Sequence, residues 1–165
     1  MKNSKPDLLS LPELRRAAVD LLSRRDHSRT ELFRKLSVKA ASAEELNSLL
    51  DELAERRWQS DERFAESFVN SRTQRGQGPV RMRQELRGKG VADSDIRQVM
   101  DEQETDWRLQ ALETARRRLG SHYSLSDPKE LAKLHRFLAY RGFTSDQIQY
   151  AVRCLKSGEL TDFPD

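Results

Sequence analysis

Four basic side chains lie close together in the segment VRMRQELRGKGVADSDI, which runs from Val80 to Ile96. They are Arg81, Arg83, Arg87 and Lys89. Guanidinium and ammonium groups of this kind can bind the phosphates of a nucleic acid or the carboxylates of a partner protein. They can equally form a solvated helix face. Recurrence at matching repeat positions would favour binding, because stacked copies would align the bases in one stripe.

Other basic residues extend this pattern on both sides. Arg72 and Arg75 close the preceding helical segment, a run of three arginines precedes Gly120, and two more bases follow near residue 140. Cations at the end of a helix also complement its dipole. The candidates for binding a partner or nucleic acid are Arg72, Arg75, Arg81, Arg83, Arg87, Lys89, Arg116, Arg117, Arg136 and Arg141.

Residues for catalysis or metal binding do not come together in the sequence. His27, His122 and His135 are scattered over different elements, and the chain has no HExxH motif, phosphate-binding loop or nucleophile elbow. The GQG of Gly76–Gly78 has neither a preceding strand nor a P-loop lysine. One cysteine, Cys154, forms no internal disulfide and no cysteine-based zinc site. We therefore predict no enzyme, no catalytic residue, no cofactor and no metal.

The basic segment recurs. LSVKAASAEEL (Leu36–Leu46), LRGKGVADSDI (Leu86–Ile96) and LAYRGFTSDQI (Leu138–Ile148) align without a gap, at spacings of 50 and 52 residues. Each copy begins and ends on an aliphatic residue and carries a base at the same internal position. Self-similarity at this period is typical of stacked supersecondary units.

Each copy reads as a helix, a turn and a second helix. Leucine or methionine residues four apart give the first helix an apolar face, and Gly90 and Gly142 stand where a helix end needs a left-handed residue. Serine or threonine followed by acids or glutamine predicts helix N-caps at Ser28, Ser42 and Thr144. In the middle copy we expect Asp93 to be the cap.

A third helix precedes each pair, over roughly Pro12–Arg24, Asp61–Gln74 and Asp106–Leu119. The sequence thus predicts an all-α fold, a tandem repeat of three three-helix units forming an elongated, curved rod. The expected parts are a flexible N-terminal segment (1–10), repeat 1 (11–58), repeat 2 (59–104), repeat 3 (105–158) and an acidic C-terminal tail (159–165).

Composition and hydropathy narrow the class of protein. Thirty basic residues oppose 27 acidic ones for a net charge of +3, so separated charged surfaces can lie behind a small net value. No segment reads as a signal peptide or a membrane span, which predicts a soluble cytoplasmic protein, and we expect a monomer. The larger aromatic residues are expected between helices; Trp58 and Trp107 could alternatively anchor a partner.

Four segments, found in this order, resemble the RecX family of RecA regulators. They are RRDHSRTELFRKL (Arg24–Leu36), DERFAESFVNSR (Asp61–Arg72), GPVRMRQELRGKGV (Gly78–Val91) and RFLAYRGF (Arg136–Phe143). The resemblance extends from about residue 14 to 155 and implies tandem three-helix repeats without cofactor or enzymatic activity. It implies binding to RecA and to RecA–single-stranded DNA filaments, with inhibition of ATP hydrolysis, strand exchange and the coprotease role of RecA.

The resemblance brings no catalytic residues with it, and the ten basic candidates come from the residue pattern alone. The alternative function is a DNA-binding helix-turn-helix array that acts on nucleic acid directly. The pattern also allows weak direct DNA binding beside RecA binding.

Overall fold

Helices account for nearly all regular structure in this chain. The computed structural model describes residues 7–121 and 123–158, and over these ranges it has nine α-helices and no strand beyond one isolated parallel bridge between Leu9 and Ala40. The helices are α1 (Leu11–Arg24), α2 (Arg29–Leu36), α3 (Ala43–Glu55), α4 (Asp61–Gln74), α5 (Pro79–Gly88), α6 (Asp93–Glu102), α7 (Trp107–Leu119), α8 (Pro128–Arg141) and α9 (Ser145–Ser157). The all-α repeat prediction is confirmed.

Some sequence predictions fall outside these ranges. His122, the acidic tail (159–165) and the first six residues of the expected flexible N-terminal segment lie outside the described residues. None of the helices in the described part of the chain has the length and apolar composition needed to cross a bilayer.

Helix starts follow the predicted capping residues in most places. The Ser28 hydroxyl accepts a hydrogen bond from the Glu31 N–H at 3.1 Å, and the Glu31 carboxylate accepts one from the Ser28 N–H at 3.3 Å. Thr144 and Gln147 form the same reciprocal pair at the start of α9. Ser42 accepts from two N–H groups at the start of α3. These contacts satisfy N–H groups that have no partner inside the helix.

The prediction of Asp93 as an N-cap is wrong. Helix α6 begins at Asp93, and the Ile96 N–H donates to the Ala92 carbonyl, so Ala92 precedes the first turn. The Asp93 carboxylate instead accepts a hydrogen bond from Arg87 Nε at 2.6 Å. The carboxylate oxygen that would accept a backbone N–H in an N-cap thus accepts from a guanidinium group instead.

Left-handed glycines end the second helix of the two later repeats, as predicted. Gly90 has φ +78° and Gly142 has φ +97°. In each turn the N–H after the glycine donates to a carbonyl five residues earlier, that of Leu86 or Leu138, at 3.1 Å. This pattern satisfies carbonyls at the helix end and turns the chain toward the next helix.

The first repeat makes its turn differently. Residues Ser37–Lys39 form a short 3-10 helix, and Ala40, which occupies the position of the two glycines, has extended backbone at φ −84° and ψ 138°. Alanine has a Cβ that disfavours the left-handed region, so the chain tightens before this position.

Two compact units divide the described residues. The first comprises the described residues up to Phe68 together with Leu86–Val99. Its main apolar cluster is made by the three helices of the first repeat, where apolar residues three or four positions apart on each helix face inward. The cluster consists of Leu14, Ala18, Leu32, Leu36, Leu46, Leu49, Leu50 and Leu53.

The second unit comprises Val69–Glu85 and the described residues from Met100 onward. Its core comes mainly from α7, α8 and α9, which pack as the third repeat. The buried members are Ala111, Leu112, Ala115, Leu125, Leu134, Leu138, Phe143, Ile148, Ala151, Val152, Cys154 and Leu155. The middle repeat contributes residues to both units.

Trp58 and Tyr140, which were expected to pack between helices, are exposed. Trp58 is 47% exposed and Tyr140 is 74% exposed. Each ring instead lies against an arginine of its own unit: Arg56 is 5.2 Å from the Trp58 centroid, and Arg81 is 4.9 Å from the Tyr140 centroid. Stacking on a guanidinium lets a large ring stay in water with one face covered.

Candidate partner-binding surface

The ten basic candidates are unequally divided between the two units. Eight belong to the second unit, and only Arg87 and Lys89 belong to the first. Among the candidates, half have a carboxylate partner within the protein and half have none in the described structure. A base with a carboxylate partner contributes to the fold, whereas the charge of a base without one is available to another molecule.

Lys89 points into its own unit and does not face outward as expected. Its Nζ lies 2.7 Å from Glu31 Oε1, and the Ser28 hydroxyl donates to the Lys89 carbonyl at 2.7 Å. The next residue, Gly90, lies so close to Thr30 that an added Cβ would overlap the threonine side chain. The glycine turn of the middle repeat therefore packs against the first turn of α2.

The pKa of the Glu31 carboxyl reflects the strength of the contact between Glu31 and Lys89. Burial alone would raise the pKa of its carboxyl, whose side chain is only 11% exposed. Hydrogen bonds from Lys89 and Arg25 outweigh burial and lower the pKa to about 2. A carboxylate that is ionised and paired at such a site stabilises the fold.

An equivalent contact occurs in the second unit. The Gly78 N–H donates to the Arg141 carbonyl at 2.7 Å, and the Val80 N–H donates to the Gly142 carbonyl at 3.0 Å. A Cβ on Gly142 would lie 2.6 Å from the backbone nitrogen of Arg81. We call each of these contacts a repeat junction: the glycine turn of one repeat packed on the start of the second helix of the preceding repeat.

Arg72 and Arg81 share one carboxylate in the second unit. Glu85 accepts from Arg81 Nε at 2.9 Å and from Gln77 Nε2 at 2.9 Å, and Arg72 Nε lies 3.5 Å away. Burial would raise the pKa of Glu85, but these donors outweigh it and the pKa lies below its usual range. The hydrogen bond to Glu85 raises the pKa of Arg81, and the side chain of Tyr140 raises it further. Both candidates are therefore partly neutralised within the protein.

Two further candidates have carboxylate partners at the surface. Arg87 pairs with Asp93 at 2.6 Å, and Arg117 pairs with Glu113 one helical turn away. Both arginines are more than half exposed, and pairs of this kind contribute little to stability. They can exchange an internal partner for an external one.

Five candidates have no carboxylate partner among residues 7–121 and 123–158, and all belong to the second unit. Arg83, expected to be exposed, is half-buried, whereas Arg75 and Arg136 are exposed. Uncompensated cations repel one another and raise the local positive potential, so their charge is available to an anionic partner. The five are Arg75, Arg83, Arg116, Arg136 and Arg141.

Four arginines meet at one concave site in the second unit. Arg75, Arg117, Arg118 and Arg141 line a pocket of about 460 Å³, with Phe137 among them. The guanidinium carbons of Arg118 and Arg141 lie 5.4 and 5.3 Å from the Phe137 ring centroid. We call this the arginine pocket. It brings together three candidates, while Arg83, Arg116 and Arg136 do not line it.

Backbone contacts fix the walls of the arginine pocket. Arg117 Nη1 donates to the Gln74 carbonyl at 3.4 Å, and Arg141 Nη1 donates to the Arg75 carbonyl at 3.1 Å. Gly76, with φ +72°, lies beside Thr114, where an added Cβ would be 2.9 Å from the threonine hydroxyl. The end of α4 is thus held closely against α7 and α8.

The ten candidates omit four residues that line this pocket: Gly76, Thr114, Arg118 and Phe137. Helical spacing could have indicated the last three of these residues, because residues four positions apart lie on the same face of a helix. Thr114 and Arg118 have this spacing on α7, and Phe137 and Arg141 have it on α8. The basic run was recognised, but nothing in the sequence indicated which of its arginines would meet the end of α4.

Comparison with known proteins gives consistent results. Residues 60–100 match the family description "RecX, second three-helix domain", and residues 110–152 match "RecX, third three-helix domain". Regulatory protein RecX of Chromohalobacter salexigens is 44% identical over 135 residues, which cover 82% of this chain and 88% of that protein. Regulatory protein RecX of Pseudomonas putida is 43% identical over 150 residues, covering 91% and 94%.

A solved structure agrees in fold. The crystal structure of RecX from Lactobacillus salivarius superposes with a TM-score of 0.75, covering 89% of this chain and 97% of that one, at 22% sequence identity. At this identity the likeness supports the helical fold alone.

Proposed function

Because the chain belongs to the RecX family of regulatory proteins, we propose that it binds RecA and RecA–single-stranded DNA filaments. Binding inhibits ATP hydrolysis, strand exchange and the coprotease activity of RecA. The protein acts without a cofactor and without catalytic residues of its own, because occupancy of the filament is what changes RecA. Family membership is the observation that carries this proposal.

The unpaired arginines supply the contact surface. Arg75, Arg83, Arg116, Arg136 and Arg141 have no carboxylate partner in the described part of the chain. A nucleoprotein filament offers them both the carboxylates of RecA and the phosphates of DNA. Charge complementarity of this kind speeds association and sets orientation.

The repeats suit a filament partner. A filament presents the same surface at regular intervals, and a chain of repeated units can contact successive subunits at once. Linked contacts raise the apparent affinity through effective concentration even where each contact is weak. A ligand that bridges subunits favours one arrangement of their interface, and an interface that cannot change its arrangement cannot complete the ATPase cycle.

The alternative function is direct action on nucleic acid. The arginine pocket supports a contribution of DNA binding, because it gathers four cations in one concavity. Salt dependence separates the two. Binding through phosphates alone falls steeply as salt rises, whereas protein contacts make filament binding tighter and less sensitive to salt. Titrations of bare single-stranded DNA and of RecA–DNA filaments over the same salt range therefore distinguish a filament regulator from a DNA-binding array.

The direct test is the ATPase rate of RecA on single-stranded DNA as the purified protein is titrated in. We expect the rate to fall to a low plateau at substoichiometric to stoichiometric protein. An unchanged ATPase rate, together with equal affinity for bare DNA and for filaments, would contradict the proposal and favour the DNA-binding array.

A further inference from the structure

We propose that the arginine pocket is a binding site for the phosphodiester backbone of single-stranded nucleic acid. The inference deepens the proposed function, because it gives the DNA strand of the filament a contact of its own. The inference rests on the proposed function only in taking the bound strand to be the DNA of the RecA filament. The contact itself can be measured without RecA.

The charge of the arginine pocket indicates an anionic ligand. Of its four arginines, only Arg117 has a carboxylate partner in the described structure, and that partner is Glu113 on the same helix. Arg75, Arg118 and Arg141 have none. Three uncompensated guanidinium groups in one concavity repel one another, and the ring and carbonyl contacts that hold them supply no negative charge to offset this repulsion. An anion that enters removes this repulsion, and the concave shape concentrates the potential at its position.

The kind of cation suits phosphate. All four bases are arginine, as are 22 of the 30 bases in the chain. A guanidinium has a planar fork of donors that can bind two oxygens of one phosphate together, whereas an ammonium acts as a point charge. A nucleic-acid strand carries a negative charge at every nucleotide, so neighbouring phosphates can meet neighbouring arginines.

Three of the four pocket arginines, Arg117, Arg118 and Arg141, are held by contacts within the protein before a ligand arrives. Phe137 has the guanidinium groups of Arg118 and Arg141 stacked against its ring, within 5.4 Å of the centroid. Arg117 and Arg141 are each also tied to a backbone carbonyl at the end of α4. Side chains held in this way lose little further freedom on binding. A single strand bends into such a concavity more readily than a stiff duplex, which favours a single strand.

The test compares a pocket variant with a variant matched in charge. Arg75→Ala with Arg118→Ala removes two pocket arginines that have no carboxylate partner. The control, Arg16→Ala with Arg153→Ala, removes two exposed arginines outside the pocket that form no ion pair within 4 Å in the described residues, although Arg16 lies near Glu13. The control is closely matched, because Arg153 lies over the Tyr150 ring at 5.9 Å much as Arg118 lies over Phe137.

Fluorescence anisotropy measures binding to labelled oligothymidine, to an abasic strand of equal length, and to a polyglutamate peptide. We expect the pocket variant to bind both strands about tenfold more weakly than wild type, while the control changes by less than about threefold. The slope of log affinity against log salt should fall by about 1.4 for the pocket variant, since each lost contact to a single strand contributes roughly 0.7. Equal losses on both strands assign the contact to phosphate.

Three results would overturn the inference. The first is a pocket variant that weakens strand binding no more than the control does. The second is a wild-type protein that binds no single strand even at low salt. The third is polyglutamate binding that depends on the pocket when DNA binding does not. Arg75→Lys with Arg118→Lys keeps the charge and most of the packing. It should recover only part of the affinity, which guards against a loss caused by misfolding.

The same variants separate this inference from the proposed function. If wild type inhibits RecA but the pocket variant binds DNA like wild type, the phosphate site is refuted and the filament regulator stands. If wild type leaves RecA unaffected while strand binding depends on the pocket, the phosphate site stands and the filament regulator fails.

Discussion

Glu31 and Lys89 are 58 positions apart in the chain, yet the carboxylate of one lies 2.7 Å from the ammonium of the other. Their pairing joins the second helix of the first repeat to the turn of the middle repeat. The same ammonium group lies 6.0 Å from the centroid of the Phe64 ring, so both of these contacts of Lys89 are made within the first unit. A base that looks like part of a binding stripe in the sequence is therefore a packing residue in the fold.

Replacing Lys89 should destabilise the protein. Lys89→Ala leaves the Glu31 carboxylate poorly exposed and without its closest partner, with Arg25 remaining, and we expect a loss of about 1–3 kcal/mol in the free energy of unfolding. Thermal or denaturant unfolding measures it. Arg87→Ala is the matched control, because it also removes one paired base of the segment, but from an exposed pair worth roughly 0–1 kcal/mol. Equal stability of the two variants would contradict the structural role of Lys89.

Acid should weaken the first unit through Glu31. Its pKa is lowered from 4.5 to about 2 in the fold, so the folded state binds this proton less readily than the unfolded state. The stabilisation is present above pH 4.5 and is lost as pH falls through that value toward about 2. Glu31→Gln should flatten the stability profile in this window. A variant with an unchanged acid transition would show that other groups dominate it.

Protonation of His27 should also destabilise the fold, at a higher pH than protonation of Glu31. Its side chain is buried, and burial lowers its pKa from the model-peptide value of 6.5, although a hydrogen bond to the Arg25 carbonyl opposes the shift. The fold favours the neutral ring, so this stabilisation is present above pH 6.5 and is lost as the pH falls below it. Denaturation of His27→Gln across this range should show a smaller pH dependence than wild type.

Gly142 should tolerate no side chain, for two separable reasons. Its φ of +97° is unfavourable for other residues, and a Cβ there would lie 2.6 Å from the Arg81 nitrogen. Gly158 has a similar left-handed backbone at φ +65°, but a Cβ there would meet nothing within 4 Å. We expect Gly142→Ala to lower stability by about 1–3 kcal/mol more than Gly158→Ala, since only the first overpacks a junction. Equal effects would show that the junction yields without strain.

Arg83 offers the simplest test of the contact surface proposed for RecA. It has no carboxylate partner in the described structure, so Arg83→Glu reverses a charge without breaking an internal ion pair. We expect weaker filament binding, mostly through slower association, and relief of ATPase inhibition by about three- to tenfold in midpoint concentration. Arg16→Glu makes the same change in charge on α1 and should inhibit like wild type. If both variants inhibit alike, Arg83 does not contact the filament.

Much of the fold could be predicted because its determinants are local. Capping residues and apolar spacing act within one or two helical turns, and α4 begins and ends at the predicted residues, Asp61 and Gln74. The errors arose where a contact between two helices decided the outcome. Asp93 pairs with Arg87 instead of capping α6, and Tyr140 stays in water because Arg81 covers one face of its ring.

The binding surface could be predicted only as a set of bases. Local sequence shows that Lys89 and Arg83 are cations on one segment, but it does not show that Glu31 would neutralise the first and that no carboxylate in the described residues would neutralise the second. Nor could spacing show that Arg75 would meet α7 and α8. These outcomes depend on contacts between elements far apart in the chain. The elongated, curved form, the monomeric state and the repeat boundaries stay predictions.

The repeat junction also has a consequence for synthesis. The Ser28 hydroxyl bonds a carbonyl 61 residues further along, that of Lys89. A ribosome adding roughly 5–20 residues per second needs about 3–12 seconds to make that stretch. During this time the start of α2 has its cap but not its docking partner, so the first repeat emerges before the turn that completes its packing. A truncated chain that ends before Lys89 should consequently be more open to proteases at α2 than one that ends after Val99.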